Sequence, residues 1–89
     1  MDILTKASAG TVESSDAYVE VAPATNGLTV DVESVVAAQF GDSIRESVYA
    51  VLKEQDITNA AVRIVDRGAL DCVIRARVET AILRGKGDA

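Results

Sequence analysis

Eighty-nine residues, 48% of them apolar but only 3% aromatic, with a net charge of −5, suffice for one small domain with an aliphatic core. A chain this short buries only about 60–65% of the surface it exposes when unfolded, which leaves little room for the deep cavity of an elaborate stand-alone enzyme. The absence of His and the single Cys exclude a Cys/His zinc site, a serine-type triad and a disulfide within the chain, so Cys72 is expected to be a reduced and largely buried thiol.

The first element in chain order is a weak strand of small residues, Ala7 to Val12, followed by turn chemistry at Glu13-Ser14-Ser15-Asp16. Tyr18-Val19-Glu20-Val21 and Leu28-Thr29-Val30-Asp31-Val32-Glu33 alternate apolar and polar residues as half-buried strands do, with the turn-rich Pro23-Ala24-Thr25-Asn26-Gly27 between them. These three strands predict an antiparallel meander. From Ser43 the period changes: Ile44, Val48, Val51 and Leu52 fall on one helical face, and Ser43-Ile44-Arg45-Glu46 has the form of a capping box. That helix is expected to run to about Gln55. Ala61-Val62-Arg63-Ile64-Val65 offers a short fourth strand that ends at Asp66-Arg67-Gly68.

The segment from Leu70 onward fits two periods, because Leu70, Ile74, Val78 and Ile82 share a helical stripe while Ile74 to Glu79 also alternates. Leu, Ala, Arg and Glu dominate it, and the stripe outlasts a typical strand, which favours helix. The expected fold class is therefore α+β: one two-layer domain spanning residues 1–89, with an antiparallel sheet of about four strands, meander first, and two helices on one face. Residues 1–5 and 85–89 are expected to be flexible.

Charge is unevenly placed. Asp2, Glu13, Asp16, Glu20, Asp31 and Glu33 face only Lys6 in the first 34 residues, whereas the remainder is balanced. Such a surface disfavours nucleic acid and suits either a basic protein partner or a plainly solvated acidic sheet face. The longest apolar run, Val48 to Leu52, is far too short to span a bilayer, and nothing at the start resembles a signal peptide, so a cytoplasmic protein with no membrane partner is expected.

Two serines stand out. Ser14 lies between carboxylates at a predicted hairpin tip, where a hydroxyl can serve as a passive acceptor for a modifying enzyme that brings its own base; with no His in the chain, self-catalysis there has no base to use. The same residues are also ordinary turn chemistry. Ser43, in Gly41-Asp42-Ser43-Ile44, resembles the Asp-Ser-Leu element on which four-helix acyl carrier proteins bear phosphopantetheine, and a helix N-terminus would favour an anion there; its plainer reading is an N-cap. Arg63, Arg67, Arg75, Arg77 and Arg84 do not converge on one helical face and read as solvated charge.

Taken together, Ala9-Gly10-Thr11-Val12-Glu13-Ser14-Ser15-Asp16, Gln39-Phe40-Gly41-Asp42-Ser43-Ile44-Arg45 and Asp66-Arg67-Gly68-Ala69-Leu70-Asp71-Cys72-Val73-Ile74-Arg75-Ala76-Arg77 resemble the acyl carrier (gamma) subunits of citrate lyase. The malonate decarboxylase delta subunit is a more distant relative of that family. The resemblance implies that Ser14 carries 2′-(5″-phosphoribosyl)-3′-dephospho-coenzyme A through a phosphodiester, and that Ser43 is only a helix cap. It further implies a non-catalytic carrier whose thiol takes acetyl and citryl thioesters between the alpha (transferase) and beta (lyase) subunits, after loading by a prosthetic-group transferase. Glu13, Asp16 and Glu20 are the candidate docking residues for these partners.

Overall fold

The fourth strand, read from sequence as the short last piece of the sheet, is its most buried strand: Ala60, Val62, Ile64, Val65 and Asp66 are all withdrawn from solvent. It accordingly takes a central position. The computed structural model describes residues 2–35 and 37–87, with no side-chain detail over residues 37–40. β1 (Ala7–Gly10) pairs antiparallel with β2 (Ala17–Ala22), and β2 pairs antiparallel with β4 (Ala60–Asp66). β3 (Leu28–Ser34) lies on the far side of β4 and runs parallel to it, giving the order β1-β2-β4-β3.

The fold is α+β as expected, but the sheet is mixed and the meander stops after its first hairpin. A parallel pair needs a crossover of a dozen or more residues. Helix α1 (Ala37–Glu54), between β3 and β4, supplies it. The Pro23 to Gly27 segment is therefore a passage from β2 over to the edge of the sheet, pinned where Asn59 Oδ1 accepts the Gly27 amide at 2.8 Å and Gly27 O accepts the Ala60 amide at 3.1 Å.

Register explains the core. Val19 faces Ile64, Val21 faces Val62, and Val30 and Val32 face Val62 and Ile64 from the other side, so one sheet face is a continuous aliphatic surface. Ile44, Val48, Val51 and Leu52 of α1 close over it, with Ile74, Val78, Ala81 and Ile82 of α2 (Asp71–Gly85). Each of the Val, Leu and Ile side chains contributes about 1.5–3 kcal/mol through burial.

Three further expectations change. α1 begins six residues before Ser43, so Ser43 lies in its second turn and neither caps the helix nor forms a capping box. Helix-favouring Ala and Gln at 37–39 extend the helix upstream of the Ser-x-x-Glu signal. Cys72 is exposed rather than buried, because α2 starts at Asp71 and its inward stripe falls on Ile74, Val78, Ala81, Ile82 and Gly85. Leu70, placed on that stripe from sequence, precedes the helix and is 72% exposed.

The chain's beginning is tied down where flexibility was expected. Ile3 is buried in the core, and Gly85 O accepts the Leu4 and Thr5 amides at 2.9 and 3.1 Å. A Cβ on Gly85 would meet Ile3 Cγ2 at 3.0 Å and Val21 Cγ2 at 3.1 Å, so the helix end has no side chain because the first residues press against it. Asp2 secures the same segment by accepting hydrogen bonds from the Thr58 and Asn59 amides at 2.8 and 3.1 Å, which hold its carboxyl well below the usual range. Met1 and residues 88–89 lie outside the described residues.

Candidate attachment site

The loop between β1 and β2 is built on two backbone departures. Gly10 has φ +89°, and a Cβ there would stand 1.9 Å from the Ala17 carbonyl oxygen, so only glycine lets the chain leave β1 at this angle. Ser15 has φ +63° and is the second central residue of a turn closed by the Asp16 amide donating to Glu13 O at 3.2 Å. A positive φ at that position is the mark of a type II turn. Ser14 therefore occupies the first central position, at the apex.

A β-bulge joins this turn to the end of β4. The Ser15 amide donates to Arg67 O at 2.8 Å, and the Arg67 amide donates to Asp16 O at 2.9 Å, so two residues oppose one. The extra residue breaks the alternation of β2. Ala17 is fully buried while Asp16, next to it, also turns toward the helices and meets Arg77 of α2.

Asp16 is the centre of the site. Arg77 Nε and Nη2 donate to its Oδ1 and Oδ2, each at 3.1 Å; Thr11 Oγ1 donates to Oδ2 at 2.7 Å; and the Ala17 amide donates to Oδ1 at 2.7 Å. These donors, the Thr11 hydroxyl first, then the Ala17 amide and the Arg77 guanidinium, hold the carboxyl down at about 2, from an ordinary 3.8. Thr11 Oγ1 in turn accepts the Glu13 amide at 3.2 Å. The turn is fixed from both sides, yet Ser14 is exposed and its hydroxyl has no protein hydrogen bond among the described residues.

The later motifs arrive at the same end of the sheet. Asp66, 1% exposed, accepts Ser34 Oγ at 2.7 Å and the Gly68 and Ala69 amides at 3.2 and 2.9 Å, which shapes the turn after Arg67. Asp71 accepts the Ser47 hydroxyl and, at 3.1 Å, Arg75 Nε. Between them lies a cleft of about 300 Å³ lined by Ser43, Ile44, Asp66, Gly68, Ala69, Asp71 and Ile74. Ser43 is thus a wall of a cleft beside the loop, within α1 rather than at its start.

The three acidic residues proposed for docking do not form one face. Glu13 is exposed on the turn and Asp16 is turned inward. Glu20 sits on the helix-free face of the sheet, with the Tyr18 hydroxyl at 3.1 Å and Lys6 Nζ at 3.5 Å. Of the arginines read as solvated, Arg67 and Arg77 belong to the loop's framework. Asp16 and Arg77 are 61 positions apart, so no local pattern joins them. Gly10 and Thr11 carried no chemical signal of their own. Among the described residues no helix is long and apolar enough to cross a membrane.

Comparison with known proteins agrees with this architecture. Residues 4–85 match the acyl carrier family described as "Malonate decarboxylase delta subunit (MdcD)". The chain is 47% identical over 87 residues to the citrate lyase acyl carrier protein of Streptococcus uberis, covering 98% of this chain and 86% of the relative. It is 46% identical over 89 residues to that of Haemophilus ducreyi, covering 100% and 93%. With the Pectobacterium atrosepticum protein of the same description it shares 50% over 84 residues, covering 94% and 88%. A chain in the crystal structure of a Pseudomonas malonate decarboxylase hetero-tetramer in complex with malonate superposes with a TM-score of 0.76 at 25% identity, over 88% of this chain and 80% of that one. The fold, the full-length match and the near-half identity make this chain a member of the acyl carrier family that comprises the citrate lyase acyl carrier proteins and the malonate decarboxylase delta subunit.

Proposed function

We propose that this chain is the acyl carrier subunit of a citrate lyase, with Ser14 Oγ as the anchor of a covalent 2′-(5″-phosphoribosyl)-3′-dephospho-coenzyme A. The observation that carries the reading is Ser14 at the apex of a turn whose other groups are committed to holding it there. An acceptor hydroxyl must enter another enzyme's active site, which requires exposure, freedom from competing hydrogen bonds and a backbone that protrudes. Ser14 meets these conditions. Ser15 is the poorer acceptor, since its amide is bound to Arg67 O and its backbone occupies the left-handed region.

When attached, the group supplies a terminal thiol able to form acyl thioesters. The protein's part is to hold the anchor while the arm reaches successive sites, so that tethering replaces diffusion with a high effective concentration. In this reading the chain has no catalytic residue and works with the alpha and beta subunits and a prosthetic-group transferase. The identities of 46–50% to citrate lyase carriers favour that branch over malonate decarboxylase, whose matching chain shares 25%. A phosphopantetheine carrier using Ser43 is disfavoured by Ser43 lying inside a helix and by an α+β fold with a mixed sheet in place of a four-helix one.

Intact mass after co-expression with the synthesis enzymes, followed by fragmentation, tests the assignment. The large nucleotide-containing adduct is expected on Ser14, lost in Ser14→Ala and retained in Ser15→Ala and Ser43→Ala. A bare phosphopantetheine adduct, or loss only in Ser43→Ala, overturns it. Activity of the assembled complex on citrate and not malonate checks the branch.

A further inference from the structure

Loading Ser14 places a phosphodiester anion next to Glu13, in a loop that already holds the Asp16 carboxylate. Arg77 cannot serve both groups, because its bidentate contact at 3.1 Å is with Asp16. The other cations are also accounted for. Lys6 pairs with Glu20, Arg45 with Asp42 and Arg75 with Asp71, while Arg84 and Lys86 donate to the Ser8 and Gln55 carbonyls. Lys53 lines a cleft with Leu28, at the opposite end of β3, and Arg63 stands mid-sheet, in register between Glu20 and Asp31.

Arg67 remains. Its backbone is locked to the Ser14 turn by hydrogen bonds of 2.8 and 2.9 Å, it is exposed, and its guanidinium has no ion pair or hydrogen bond among the described residues. A guanidinium is the side chain best matched to the oxygens of a phosphate ester, through two parallel N–H donors. On the carrier reading above, we infer that Arg67 is the counter-ion of the phosphodiester at Ser14 and holds the anchor end of the arm against the turn.

Arginine Nε–Hε spectra of ¹⁵N-labelled apo and holo protein test this at low ionic strength, with the adduct located by fragmentation. The Arg67 signal is expected to shift on loading, with solvent exchange slowed about two- to fivefold, the range of an exposed ion pair. The effect should fade at 0.5 M salt. Attachment should lower the melting temperature of Arg67→Gln by about 2–5 °C more than that of the wild type, with Arg67→Lys in between. An unmoved Arg67 signal with the group on Ser14 overturns the Arg67 assignment alone. A group found on another residue overturns the carrier site as well. If Arg67→Gln folds but is not loaded, the wild-type spectrum decides.

Discussion

Asp16 illustrates how a carboxylate that looks like surface charge can be a structural hub. Four donor contacts converge on it from Thr11, Ala17 and Arg77. Its carboxyl titrates at about 2 in the folded protein against an ordinary 3.8. A depressed folded value means that the stabilisation is complete above the unfolded value and disappears as pH falls through the folded one. Wild-type stability should therefore decline between about pH 4 and pH 2 partly through this group. Asp16→Asn should remove that part of the decline, as read from urea midpoints across the range, and at pH 7 should lie below the wild type. An unchanged pH profile in the variant would show that the carboxylate does not organise the turn. Loading of Ser14 is expected to fall with it, because the apex loses its support.

At the scale of elements, the first residues act as an extra stave of the core. Ile3 is 4% exposed, wedged against Gly85 at the end of α2 and against Val21 of β2. Ile3→Ala should lower the unfolding free energy by about 2–4 kcal/mol, the range for a large aliphatic side chain emptied from a core. A change below about 0.5 kcal/mol in chemical denaturation would make the segment the loose terminus that composition suggested. The same logic places β4. The unbroken burial of its helix-side residues Ala60, Val62, Ile64 and Asp66, with Val65 buried on the other face, suits a central strand, whereas β3, with exposed Thr29, Asp31 and Glu33, tolerates the edge.

At the scale of the whole molecule, the three motifs that are remote in sequence gather at one end of the sheet, around the Ser14 turn and the adjoining cleft. The same end exposes Val12, Val35 and Leu70, so its surface is apolar as well as charged. If acidic docking steers the partner subunits proposed above, it falls to Glu13 at this end and to Glu20 mid-sheet on the helix-free face, since Asp16 is held by Arg77. Glu13→Lys with Glu20→Lys should slow association with those subunits about tenfold at low salt, with the difference shrinking at 0.5 M salt, as stopped-flow measurement would show. Equal rates at low salt would remove these two acids from the encounter surface.

Local chemistry was readable from the chain because it is local. Alternation over residues 18–21 and 28–33 marks strands, the stripe Ile74, Val78, Ile82 marks a helix, and a serine flanked by acids marks a turn. The capping-box pattern at Ser43 misled because a good helix former upstream can extend a helix past an apparent start. Strand order was not legible, since alternation states which face is buried but not which neighbour is paired.

The sequence by itself determined the α+β class, an aliphatic core, the number of elements and the turn that bears Ser14, all consequences of periodicity and composition. Only the tertiary structure decided the parallel placement of β3 beside β4, the contact of Asp16 with Arg77 and the bulge that joins Ser15 and Asp16 to Arg67. The physical reason is range: propensity and amphipathicity act over a few residues, whereas a charge pair 61 positions apart exists only once the core has packed and brought its two ends together.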